Sequence, residues 1–165
     1  MLLRLIAVSL VMLGCASEVL GAKFNCTATG VNINECLWKP ENENTWYEFS
    51  GRMQIRDMSA VTFILKKQNT DGCIQKSTWK DVQAWIKIQT PPKPLLKIYK
   101  SLTEEQKTTV VGAFSMDYEY EYMQKVYAVY DFVAKKQEKL SKANAKKVDK
   151  WYEKRWDACK GAGPF

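Results

Sequence analysis

Apolar residues recur at intervals of three and four through most of this chain, the spacing that turns one side of a helix toward a core. Trp46, Phe49 and Met53 follow Asn44, a capping residue type, and predict a first helix. Val61, Ile64 and Leu65 behind Asp57 or Ser59 predict a second. A strand competes there, because Ala60–Leu65 is β-branched and aromatic and runs into the turn signal Asn69-Thr70-Asp71-Gly72. Trp79, Val82, Trp85 and Ile86 after Thr78 predict a third helix. Thr103 and Gln106 form a capping-box pair that should start a short helix from Glu104 to about Phe114. Asp117 opens the longest element, expected to run to Leu140 and, past a kink near Ser141, on to Cys159 before Gly161 and Pro164. Two stretches break the pattern. Lys23 to Asn44 is polar, with Gly30, Pro40 and repeated Asn, and reads as a loop-rich segment. Thr90-Pro91-Pro92-Lys93-Pro94 reads as an extended connector over residues 90–94. The expected fold class is mainly α: a compact, disulfide-linked helical bundle with a long C-terminal helix, residues 22–165 forming a single domain.

Residues 1–21 read as a secretory signal peptide. Arg4 supplies the positive start, Leu5 to Leu13 the apolar stretch, and Val19-Leu20-Gly21 a cleavage region ahead of Ala22. A rival reading takes Met12-Leu13-Gly14-Cys15 as a lipidation box, with Met where such boxes usually carry Leu. Both readings export the chain, and no stretch is long enough to span a bilayer. Export leaves Cys26, Cys36, Cys73 and Cys159, an even set that predicts two disulfides among three pairings. Any complete pairing ties Cys159 to the N-terminal half. A four-thiolate zinc site is the weaker alternative, since no Cys-x-x-Cys occurs. Asn25-Cys26-Thr27 is a glycosylation sequon, its middle residue a cysteine expected to be bridged.

Composition changes the picture mainly by exclusion. The 165 residues contain no histidine, which removes His-based triads, Cys–His dyads, imidazole acid–base chemistry and His-ligated metals. No Gly-x-Ser-x-Gly or Gly-x-Gly-x-x-Gly occurs, and Gly72–Ser77 lacks the glycine a phosphate loop needs before its lysine. The acidic clusters Glu104/Glu105 and Asp117/Glu119/Glu121 fall at predicted helix N-termini, where they offset the macrodipole. The chain is therefore expected to be non-enzymatic, without cofactor or metal.

Net charge is +7, and residues 135–160 hold ten basic against four acidic groups, +6 of that total. On one continuous helix at about 100° per residue, Lys135, Lys139, Lys142, Lys146, Lys150 and Lys154 would share an arc of about 120°. Such a stripe suits an acidic extracellular protein face or a glycosaminoglycan-like anionic surface, with nucleic acid the weaker candidate. A second chemistry comes from the tyrosines. Tyr118, Tyr122, Tyr127 and Tyr130 lie on a helix apolar almost all round, where they could line a cavity for a small amphipathic or lipid ligand.

The layout resembles that of small helical salivary or venom proteins of blood-feeding arthropods: a leader from Met1 to Gly21, four further cysteines, aromatic helices and a basic tail. The resemblance implies a secreted, non-enzymatic effector that binds an extracellular host protein, and it carries over no site residue. The alternative is a carrier with its ligand among the tyrosines.

Overall fold

The computed structural model describes residues 24–115 and 120–159. The leader, Asp117, Tyr118, Glu119, Lys160, Gly161 and Pro164 lie outside the described residues. Among the described residues the fold is all α: eight helices and no strand.

The N-terminal segment corrects the loop expectation, because it holds helix α1, Cys26–Leu37. Asn25 starts it, its Oδ1 accepting from the Ala28 amide at 3.0 Å. The buried side of α1 is Cys26, Thr29, Gly30, Ile33, Cys36 and Leu37, a regular helical stripe. Four of those six residues are Cys, Thr or Gly, so hydrophobicity alone did not reveal the stripe.

A 3₁₀ turn at Pro40–Asn42 leads into α2, Glu43–Gln54. Helix α3, Met58–Thr70, settles the strand ambiguity. Asp57 caps it through the Ala60 amide at 3.1 Å, and Val61, Ile64, Leu65 and Gln68 form its buried stripe. Helix α4, Trp79–Gln89, buries Val82, Trp85 and Gln89.

The proline-rich connector is shorter than its composition implied. Helix α5 begins at Lys93 with Pro94 in its first turn, where a missing N–H leaves no bond unmade. It runs to Lys100 and buries Leu95 and Ile98. Helix α6, Glu104–Gly112, carries both reciprocal bonds of the expected capping box, at 2.9 and 3.1 Å. Helix α7 occupies Tyr120–Glu138 and helix α8 Lys142–Ala158. The kink expected near Ser141 is a full break, so the segment is two helices. Leu140 ends its turn on the Gln137 carbonyl, and Ser141, in extended backbone, begins α8.

Two apolar clusters form the interior. The first joins α1–α4 and Cys159 around Phe49, Trp85, Leu37 and Met53. The second joins Ile55 with α5–α8 around Leu95, Ile98, Val110, Val126, Val129, Val133 and Val148. Helices α2 and α6 pack closely at Gly51, where an added Cβ would lie 2.5 Å from the Val111 Cα. Two disulfides, Cys26–Cys159 and Cys36–Cys73, complete the frame. They pair all four cysteines of the described residues, so none of these four is a thiolate for zinc. Asn42 packs beside the second, its Nδ2 donating to the Cys36 carbonyl at 3.0 Å.

Candidate functional site

Helix α8 is the most charged element and the least buried. Only Val148 of its 17 residues is fully buried, with Trp151 and Arg155 partly covered. Lys142, Lys146, Lys150 and Lys154 follow one another at four-residue steps, so they form a single solvent-facing stripe. Lys135 lies instead in the last turn of α7, and Lys139 lies in the connecting turn. The break at Ser141 therefore divides the six-lysine arc, leaving four lysines aligned on α8. All six are exposed, and none makes an ion pair with a carboxylate among the described residues. Trp156 stands 73% exposed on the same helix, beside an exposed Tyr152.

Among the described residues, the α7 tyrosines differ in their surroundings. Tyr122 donates its hydroxyl to the Thr109 carbonyl at 2.7 Å and fits over Gly112, fastening α7 to α6. Tyr127 and Tyr130 are exposed at 53% and 37%. Tyr118 lies outside the described residues. The helix is less apolar than its composition implied because its buried stripe is made of Val126, Val129 and Val133, which turns several aromatic rings to solvent. Asn25 is exposed and serves as the α1 cap through Oδ1. Glu104 and Glu105 occupy the first turn of α6, and Glu104 accepts from Lys107 at 2.6 Å.

A second polar cluster, absent from the sequence expectations, lies where α8 meets the end of α4 and the α2–α3 turn. Trp151 donates its indole N–H to the Ile88 carbonyl at 3.0 Å. Arg155 Nε donates to Gln89 Oε1 at 2.5 Å, and Gln89 Nε2 donates to Cys159 Sγ at 3.5 Å. The buried Gln89 thus links α8 to the disulfide that anchors its end. The guanidinium groups of Arg56 and Arg155 lie 5.7 and 5.8 Å from the Trp151 ring centroid. Burial, and then the like charge of Arg56, hold Arg155 down to about 10. Burial likewise pushes the Tyr99 and Tyr130 phenols above their usual value.

Arg56 is the unusual member. Its φ of 54° is left-handed, a conformation that costs a non-glycine residue about 1–2 kcal/mol. Its Nε and Nη1 are buried without an acceptor. Sequence reading could pair Trp151 with Arg155 by their four-residue spacing. It had no signal for Arg56, whose surroundings come from helices far along the chain.

No protein-family model matches the chain, and no curated protein or solved structure is significantly similar to it.

Proposed function

We propose that the protein is a secreted, non-enzymatic binding protein, an effector that engages an acidic extracellular protein or a sulfated-glycan-like surface of a host or target. The α8 stripe would make the contact. The observation that carries this reading is that Lys142, Lys146, Lys150 and Lys154 are aligned, exposed and free of carboxylate partners among the described residues. Like charges at four-residue steps weaken a helix by about 0.2–0.5 kcal/mol per pair. A face serving solubility alone would be better built with interspersed acids. An acidic partner removes that repulsion and would speed encounter through long-range attraction. The exposed Trp156 adds an apolar anchor of the type enriched at protein interfaces. Two disulfides fit an oxidising compartment, and no helix among the described residues is long and apolar enough to cross a membrane. The missing histidine and the use of Glu104 and Glu105 in a helix start support a binding role over catalysis.

Charge reversal tests the reading. Lys142→Glu, Lys146→Glu, Lys150→Glu and Lys154→Glu together should abolish retention on a heparin column at physiological ionic strength. Circular dichroism should stay unchanged, because all four side chains are exposed. Retention equal to that of the parent would reduce the stripe to a solvated face.

A further inference from the structure

The α2–α3 connection is three residues long, Ile55, Arg56 and Asp57, and its left-handed position is one that glycine or asparagine usually fills. An arginine held there has its side chain placed by the turn itself, and backbone strain of this kind clusters at ligand sites. Arg56 lines a cleft of about 510 Å³. That volume falls within the range of small-molecule sites. Ile55, Met58, Ile86 and Leu96 supply its apolar surface, while Arg56 and Lys100 supply positive charge.

The charges around the cleft do not balance locally. Asp57 is the nearest carboxylate in sequence, but both of its oxygens are engaged. Oδ2 accepts from Arg52 Nη1 at 3.2 Å and Oδ1 from the Ala60 amide at 3.1 Å. Lys107, also on the cleft wall, is held by Glu104. Neither Arg56 nor Lys100 has an ion-pair partner among the described residues. Arg155, on the same Trp151 ring, adds a second positive charge close to the first. Arg56 hydrogen-bonds the Tyr99 phenol on the cleft wall but meets no counter-charge, and a partly buried guanidinium beside a like-charged neighbour is the arrangement an anion completes.

From these features we infer that the cleft is a binding site for a small amphipathic anion. Its acidic head would sit at Arg56 and Lys100, and its hydrocarbon body would lie against Met58, Ile86 and Leu96. The site is separate from the α8 lysine stripe and does not depend on it. It also differs in place from a cavity among the α7 tyrosines.

Displacement of a fluorescent fatty-acid probe from the disulfide-intact protein tests this. Dodecanoate and dodecyl phosphate represent the two sources of an acidic head, and dodecanol and inorganic phosphate are the controls. Either amphipathic anion should bind at least tenfold more tightly than both controls, and the tighter of the two identifies the head group. Arg56→Gly should weaken that binding at least tenfold. Glycine adopts this backbone freely, so the variant should keep its helical circular dichroism. Arg56→Gln serves as a second variant should glycine loosen the turn. The four-lysine reversal should leave the affinity within twofold, which separates this site from the proposed stripe. Equal binding of dodecanol, phosphate binding as tight as dodecanoate, no binding of either amphipathic anion, or unchanged affinity in both Arg56 variants would each overturn the inference.

Discussion

The two apolar clusters stabilise their helices in different ways. The α1–α4 cluster is built from large side chains, with Phe49, Trp85, Leu37 and Met53 at or near zero exposure, and both disulfides lie within it. The α5–α8 cluster relies on five buried valines with Ile55, Leu95, Ile98 and Leu102, and it contains no cysteine among the described residues. Helix α8 shows the contrast most clearly. It gives the second cluster one fully buried side chain, Val148, yet its end is locked into the first by Cys159. Between these points Trp151 and Arg155 fasten it to the end of α4 by hydrogen bonds. A helix held in this way can display charge along its length without needing a broad apolar face. The element with the strongest charge is thus fixed mainly by cross-links and polar contacts.

Removing each disulfide should expose that division with the largest effect. Loop-closure entropy gives roughly 5 kcal/mol for Cys26–Cys159, with a sequence separation of 133, and roughly 4 kcal/mol for Cys36–Cys73, with a separation of 37. Cys26→Ala with Cys159→Ala should therefore lower the denaturation midpoint more than Cys36→Ala with Cys73→Ala. The reverse order would mean that α8 is fixed chiefly by packing.

Truncations in the two clusters should differ next. Phe49→Ala empties a fully buried aromatic site and should cost about 3–5 kcal/mol. Val129→Ala removes two methyl groups and should cost about 1.5–2 kcal/mol. Chemical denaturation of both variants checks the ratio. Equal losses would show that the valine-rich cluster is as tightly packed as the aromatic one.

These contrasts were unevenly legible in the sequence. Helix α6 was readable because Thr103 and Gln106 carry their partners within one turn. The two-disulfide expectation followed from the count of cysteines, while the pairing required the fold. Helix α1 was hidden because Cys26, Thr29 and Gly30 bury as effectively as leucine once a disulfide and a close neighbour are present. Helix α5 was hidden because Pro94 signals a break, although a first-turn proline fits a helix. The lysines were readable as exposed residues, but their shared arc depended on continuity through Ser141, which the turn at Leu140 interrupts. Arg56 was not readable at all. Its φ is set by a three-residue turn, and its neighbours Tyr99, Trp151 and Arg155 come from α5 and α8.

Native-state hydrogen exchange of the intact protein in low denaturant measures most directly whether α8 is tethered rather than packed. Amides of α8 should exchange through local opening, at distinctly lower free energy than those of α3 and α4. The protection of α8 should rise toward Cys159, where the disulfide and Gln89 hold it. Exchange of α8 only through the same global unfolding that exposes α3 and α4 would contradict this account.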